Sequence, residues 1–179
     1  MAKSSSSWFS KMTGTALNLE NLEDLLVAQL KDLLSAEEQL IKALPKMVEA
    51  AHAPALKQAI SNHLQETKNQ KTRLEQALRE LSQEPESETC DAMKGLIAEG
   101  KQMIDAEGDP DVKDSGLIAA AQRVEHYEIA GYGCARSFAL RLGHSNVAHL
   151  LDETLNEERH ADQLLTQVAD SVIGAHAHH

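Results

Sequence analysis

The sequence has few aromatic residues, four prolines and two cysteines, and it has no cluster of lysine and arginine. The formal net charge of -11 makes nucleic acids and anionic membranes poor candidates for the main partner. No apolar run approaches the roughly 18 residues of a transmembrane helix, and the N-terminus shows no signal-peptide core. Cys90 and Cys134 form no Cys-x-x-Cys motif, so we expect free thiols and a cytoplasmic protein.

The residues that the chain does have in number are helix formers, mainly alanine, leucine, glutamate, glutamine and lysine. With 179 residues, 42% of them hydrophobic, the chain suits one domain with a sizeable core and is too short for two. We therefore expect an all-α protein. Residues 1–20 are expected to form a flexible arm, residues 21–173 a helical bundle and residues 174–179 a flexible tail.

The apolar periodicity and the turn residues predict four long helices and one short helix. The first begins at Leu22, contains Pro45, which is expected to kink it or to remove one hydrogen bond, and ends at a turn at 52–54. The others are predicted at about 54–82, 90–107, 112–142 and 145–172, with Gly143 ending the third long helix. This order is typical of a four-helix bundle with one long crossover that contains the short helix.

Glutamates interrupt the apolar stripe of each long helix. Twenty-nine residues separate Glu37 from Glu66, and 29 separate Glu128 from Glu157, with both midpoints beside a predicted turn. In each antiparallel hairpin the two glutamates should therefore face each other at the same height. Three residues before Glu128, Glu125 lies at the shoulder of the same stripe, and three residues after Glu157, His160 reaches the same level.

Inward glutamates without partners would be costly, because an isolated buried charge loses its hydration. Two divalent or trivalent cations would remove this cost, since the carboxylates neutralise the metals and the metals keep the carboxylates ionised. We therefore predict a centre of two metal ions, iron first and manganese or zinc as alternatives. The predicted ligands are Glu37, Glu66, Glu125, Glu128, Glu157 and His160.

Other polar residues are assigned away from the centre. Glu158 and His126 fall off the apolar stripes and are expected at the surface. Tyr127 and Tyr132 are interpreted as packing residues rather than redox participants.

Three segments, residues 35–47, 63–67 and 119–132, resemble the YciE/YciF-type stress-associated proteins of bacteria, a branch of the ferritin-like superfamily. The resemblance covers about residues 20–170 and implies a cytoplasmic, dimeric four-helix bundle associated with stress responses. By similarity to rubrerythrin-type sites, the second pair of long helices carries the expected ligands, which are Glu125 with Glu128 and Glu157 with His160. In the first pair, Asn69 stands where the superfamily has a histidine, and His63 or Gln70 could replace that ligand.

Three functions fit this prediction. The protein could be a dinuclear iron enzyme that reduces peroxide or activates oxygen. No catalytic residue is assigned, and an external reductant is required because two cysteines cannot supply the four thiolates of a rubrerythrin-type iron tail. The protein could instead bind a metal without turnover, or serve as a stress scaffold whose site is empty or vestigial. The expected assembly is a homodimer.

Overall fold

The computed structural model describes residues 19–174, with side chains through residue 171. The predicted arm and tail lie almost entirely outside this range and stay predictions. The described residues form five α-helices and no strand, which confirms the all-α prediction. None of these helices has an apolar segment long enough to cross a membrane. The helices are α1 (Leu22–Ala50), α2 (Pro54–Glu80), α3 (Asp91–Ile104), α4 (Pro110–Leu142) and α5 (Ser145–Gly174).

Local sequence signals set the ends of the helices. Asn21 and Asp24 form a reciprocal capping box at the start of α1, each side chain accepting the backbone N–H of the other. Pro45 does not end α1, which continues to Ala50 as one helix. At the far end of the bundle, Gly143 has a φ of 84°, a left-handed conformation that favours glycine, and it ends α4 before α5 begins.

The turn between α1 and α2 is held by a residue from the third long helix. The carboxylate of Asp114 on α4 is fully buried and accepts hydrogen bonds from the backbone N–H groups of His52 (2.8 Å) and Ala53 (2.6 Å). Pro54 then begins α2, where its missing N–H leaves no unsatisfied donor. The start of α4 therefore lies beside the end of α1.

The four long helices pack as two antiparallel hairpins. α1 packs against α2 and α4, α5 packs against α2 and α4, and the short α3 covers α1 and α4. α1 and α4 are antiparallel. Glu37 contacts Tyr132, whereas His52, later in the chain, contacts Asp114, which comes earlier than Tyr132. α2 therefore runs parallel to α4, as the long crossover requires. The predicted four-helix bundle with a short helix in the crossover is confirmed.

Two apolar cores fill the bundle, one towards each end. The leucine core lies at the end that contains the α4–α5 turn, and the crossover core lies at the end that α3 covers. The leucine core contains Leu26, Leu30, Leu33, Leu34, Leu74, Ala77, Leu78, Leu81, Tyr132, Ala135, Ala139, Val147, Ala148, Leu151 and Leu155. The crossover core contains Ala36, Leu40, Leu44, Met47, Ala51, Leu56, Ile60, Cys90, Met93, Leu117, Ile118, Ala120, Ala121, Val124, Leu165 and Val168.

Candidate metal centre

A layer of buried polar side chains separates the two cores. Glu37, Glu128 and Glu158 have no solvent-exposed area, Glu125 is 2% exposed and His63 is 7% exposed. All four long helices contribute side chains to the layer. These are Glu37 from α1, His63 from α2, Glu125 and Glu128 from α4, and Glu158 from α5. Acidic residues are almost never fully buried without a compensating partner, so this layer requires an explanation.

The layer has one histidine at its centre. His63 Nε2 lies 3.4 Å from Glu125 Oε1, and His63 Nδ1 lies 3.8 Å from Glu66 Oε2 at the edge of the bundle. One potential ligand atom from each of His63, Glu125, Glu128 and Glu158 can be chosen so that all four lie within 4.8 Å of one another. A single cation could contact all four atoms.

Many polar atoms in this layer have no hydrogen-bond partner among the described residues. They include both carboxylate oxygens of Glu128 and of Glu158 and both ring nitrogens of His63. One oxygen of Glu37 and one of Glu125 are also unpaired. The other Glu37 oxygen, Oε1, accepts the hydroxyl hydrogen of Tyr132. Buried polar atoms in proteins are nearly always paired, so such a concentration of unpaired acceptors is typical of a site that binds cations or protons.

The carboxyl groups of this layer favour their neutral forms when no cation is present. Burial raises the pKa of Glu128 well above its usual value, and the nearby carboxylates of Glu37, Glu158 and Glu125 raise it further. The pKa values of Glu37, Glu125 and Glu158 are raised in the same way, with burial as the largest cause. Four carboxylates cannot all be ionised in this space without a positive charge.

The residues fit a bound metal ion on chemical grounds. Carboxylate oxygens and one imidazole form a donor set that iron, manganese and zinc accept. A cation among these atoms would supply the charge that the carboxylates lack and would occupy the unpaired acceptor positions. Glu37 is fully buried in the same layer, where burial and the neighbouring carboxylate of Glu158 raise its pKa.

Comparison with known proteins identifies the family. Residues 21–178 match the family model described as a domain of unknown function, DUF892. The chain is 42% identical over 154 residues to Protein YciF of Escherichia coli strain K12, an alignment that covers 86% of this chain and 93% of that protein. The chain belongs to the DUF892 family, in its YciF-type branch.

Three solved structures have the same fold. The crystal structure of the E. coli stress protein YciF superposes with a TM-score of 0.84 at 41% identity and covers 87% of this chain and 99% of its own. The Rhodopseudomonas palustris protein YcfI gives a TM-score of 0.82 at 41% identity, covering 85% and 97%. A Xanthomonas campestris protein with 22% identity shares the fold at a TM-score of 0.69.

Within this DUF892 chain, the structure confirms the inward direction of two predicted residues and corrects the burial of a third. Glu37 and Glu128 are fully buried and face each other across α1 and α4. The neighbour Glu38, by contrast, is directed outward to Lys71, with 3.4 Å between Oε1 and Nζ. Glu125, predicted at the shoulder of the stripe, is buried within the cluster.

The predicted direction of Glu157 is wrong. Its half-buried carboxylate forms two hydrogen bonds with the Arg73 guanidinium of α2, at 2.6 and 2.7 Å. Gln70 Nε2 donates a third, at 3.1 Å. His160, which shares this side of α5, is exposed and does not reach the buried cluster. The positive charge of Arg73 holds Glu157 at the boundary between α2 and α5, away from Glu128.

The expectation that Glu158 lies at the surface is also wrong. Glu158 is fully buried and takes the place in the centre that was predicted for Glu157. A signal for this choice exists in the sequence, because Val147, Leu151, Glu158 and Leu165 follow one another at spacings of four and seven. The competing stripe through Leu150, Glu157 and Leu164 is almost equally apolar, and the 29-residue spacing from Glu128 decided the prediction in favour of Glu157.

The first pair of long helices differs from the prediction as well. Glu66 is half-buried, and its carboxylate lies beside the centre, with Oε2 3.8 Å from His63 Nδ1. The nearby imidazole of His63 is the main cause that lowers the pKa of Glu66. His63 and Gln70, named as replacements for the missing histidine, are both buried. Gln70 Oε1 has no described partner, which leaves it available as an oxygen ligand.

The two tyrosines and the cysteines form contacts that the sequence did not predict. Tyr132 packs in the leucine core and also holds Glu37 in place, so it touches the centre directly. Tyr127 lies outside the centre, where its hydroxyl donates to Asp32 at 2.5 Å and lies 2.9 Å from Cys90 Sγ. Cys90 and Cys134 are free thiols, as predicted, the first buried and the second exposed.

Proposed function

We propose that this protein is a stress-associated helical bundle that binds a dinuclear metal centre, with iron as the first candidate, and that the centre reacts with peroxide or oxygen. The observation that carries the proposal is the group of unpaired carboxylate oxygens and imidazole nitrogens in the polar layer. The stress association comes from the relative described as the E. coli stress protein YciF, with which the chain shares 41% identity.

The polar layer offers ligands for two ions. His63, Glu125, Glu128 and Glu158 are the candidates for the first, because their ligand atoms converge. For the second, Glu37 is the candidate, together with its neighbour Glu128. The oxygen of Gln70 is a further candidate.

The ligand roles predicted for Glu66, Glu157 and His160 stay predictions. The positions of these side chains favour other ligands. Glu66 lies at the edge of the centre, and the carboxylate of Glu157 is already neutralised by Arg73. His160 is exposed.

When bound, iron would supply the electrons that peroxide or oxygen accepts. The chain's own residues position and insulate the centre. Tyr132 fixes the orientation of Glu37 by its hydrogen bond, and the leucine core below excludes water from that side. The electrons must be replaced from outside the chain, because an iron–sulfur or rubredoxin-type site needs four thiolates and the chain has two cysteines.

The first experiment measures metal content and position. The protein is purified without chelators, its metals are quantified, and anomalous-scattering maps are calculated at the absorption edges of iron, manganese and zinc. We expect two ions per chain among Glu37, Glu128 and Glu158. Stopped-flow mixing of the Fe(II) protein with peroxide or oxygen then tests reactivity. Oxidation no faster than that of free Fe(II) would contradict the redox part of the proposal.

Two matched variants test the assignment of ligands. Glu158→Gln should weaken metal binding by at least about tenfold, because it removes a buried ligand. Glu157→Gln, the same change one residue earlier, should alter affinity by less than about threefold, because that carboxylate binds Arg73. The opposite ranking would restore the arrangement predicted from the spacing of the glutamates.

A second function is favoured by the pairing of the carboxyl groups. Glu125 lies beside Glu158 and Glu37 beside Glu128, so that a protonated carboxyl in each pair could donate to its neighbour. Such a layer could hold the helices together without metal, in a protein that acts as a stress scaffold. Absence of iron, manganese and zinc after purification without chelators, together with failure of Fe(II) to bind, would favour this function.

A further inference from the structure

A cavity of about 410 Å³ lies in the crossover half of the bundle and extends to the polar layer. Its volume is within the range of roughly 300 to 1,000 Å³ found for small-molecule sites. An engineered apolar cavity of about 150 Å³ is already large enough to hold benzene. The cavity therefore has room for a molecule of about ten to fifteen heavy atoms.

All five helices contribute a small residue to the wall of the cavity. These residues are Ala43 of α1, Ala59 of α2, Gly100 of α3, Ala120 of α4 and Ala161 of α5. Protein interiors normally fill their space to the density of organic crystals. Small residues at five facing positions thus leave a space that the chain's described side chains do not fill.

The charges around the cavity favour an uncharged occupant. Leucine, isoleucine, valine, alanine and methionine side chains form most of the wall. Lys46 and Lys101 are outnumbered by three acidic residues, Asp105, Glu66 and Glu125, and Lys101 pairs with Asp105 directly. No excess of positive charge remains to attract an anion.

The inner end of the cavity is polar. His63 and Glu125 line it there, and both also belong to the candidate metal centre. Both ring nitrogens of His63 and one oxygen of Glu125 lack hydrogen-bond partners among the described residues. A polar group of the occupant could pair with these atoms, whereas an anionic group would lose its hydration in this mainly apolar cavity.

We propose that this cavity binds an uncharged, mainly hydrocarbon molecule whose single polar group, such as a hydroxyl or hydroperoxide, meets His63 and Glu125. The cavity and the unpaired atoms carry the binding. Only the conclusion that the bound molecule lies against a metal ion, and is thus the organic substrate of the centre, rests on the function proposed above.

The binding test uses the full-length, metal-free protein and the uncharged fluorescent probe 1-aminoanthracene. We expect saturable binding of one probe per chain and its displacement by decan-1-ol. Decanoate has the same chain length and a negative charge, and it should bind at least about tenfold more weakly. Absence of displacement by decan-1-ol, or equal or tighter binding of decanoate, would overturn the proposal.

Matched variants locate the site. Ala43→Phe places a ring in the cavity and should weaken binding of decan-1-ol by at least about tenfold. Ala130→Phe makes the same change at an exposed position of α4 outside the cavity and should leave binding unchanged. If circular dichroism shows that Ala43→Phe does not fold, Leu164→Trp fills the same space from a half-buried position. Binding that survives the folded variant would contradict the location.

A measurement with Co(II) separates this proposal from the previous one. Decan-1-ol should change the visible absorption of the Co(II)-loaded protein, because its hydroxyl lies beside the ligands. An unchanged spectrum with decan-1-ol bound would overturn the position next to the metal. Metal binding without probe binding would remove the cavity proposal alone, and probe binding without metal binding would remove only the metal-centre function.

Discussion

The two cores are built on the same four long helices, yet they pack differently. In the leucine core, a Cβ atom added at Gly131 would come within 2.8 Å of Leu33 Cδ2. In the crossover core, a Cβ atom at Gly100 would meet Met47 Cε at 3.6 Å and Ala120 Cβ at 3.8 Å, which are ordinary contacts. None of the residues that line the cavity belongs to the leucine core. The cavity thus lies on one side of the carboxylate layer, and the leucine core lies on the other.

This division has a physical consequence for the centre. A layer of four carboxyls is unfavourable in an apolar interior, so it requires helices whose positions do not adjust to relieve it. The leucine core packs against the layer on one side, and Tyr132 connects this core to Glu37. On the other side of the layer, the cavity beside the crossover core reaches His63 and Glu125.

The largest expected effect is a difference between equal truncations in the two cores. Leu74→Ala in the leucine core should lower the free energy of unfolding by about 4 kcal/mol, because its buried neighbours cannot close the gap. Leu44→Ala, at the wall of the cavity, should cost about 2 kcal/mol, because part of its surface already faces space. Urea unfolding of the metal-free proteins measures both. Equal losses would show that the two cores are packed alike.

The next effect concerns the layer between the cores and its response to pH. The pKa values of Glu37, Glu125, Glu128 and Glu158 are raised in the folded protein above the usual 4.5. Their stabilising contribution is complete below pH 4.5 and is lost as the pH rises through the folded-state pKa values. The metal-free protein should therefore be less stable at pH 8 than at pH 5, by an amount on the order of 2 kcal/mol.

Urea unfolding at the two pH values tests this dependence. Glu128→Gln should reduce it because the amide cannot ionise, whereas Glu49→Gln at the surface should not. Saturating Fe(II) or Zn(II) should reverse the trend, since metal binding requires ionised carboxylates. A metal-free protein that becomes more stable towards pH 8 would contradict the assignment of these carboxyls as buried and unpaired.

The smallest effect compares the two glycines. Gly100→Ala should raise the free energy of unfolding by up to about 1 kcal/mol, because alanine favours the helix and its methyl group finds ordinary contacts. Gly131→Ala should give no gain or a loss, because the buried side chain of Leu33 would have to move. Thermal unfolding of the two variants measures the difference. A gain at both positions would show that the leucine core tolerates an added methyl group.

The sequence was sufficient for the fold because the signals of each helix are local. Apolar periodicity, the cap at Asn21, the proline at the start of α2 and Gly143 all act within a few residues of the helix end that they set. The inward glutamates Glu37 and Glu128 were predictable for the same reason. Each interrupts an apolar stripe of its own helix.

The periodicity of α5 could not decide which of its two adjacent glutamates, Glu157 or Glu158, is buried. Leucine doublets, Leu150–Leu151 and Leu164–Leu165, give α5 two stripes that differ by one residue, and Glu157 and Glu158 lie on one each. The choice between them depends on Arg73, which lies on another helix and draws Glu157 outward.

By itself, then, the sequence determined the five helices, their order and the presence of buried acid in the middle of the bundle. The tertiary structure decided which acids meet, that His63 joins them and that small residues from five helices leave a cavity beside them. The physical reason is that helix formation and amphipathicity are properties of neighbouring residues. Ion pairing, burial and empty space, in contrast, depend on side chains that only the packing of distant helices brings together.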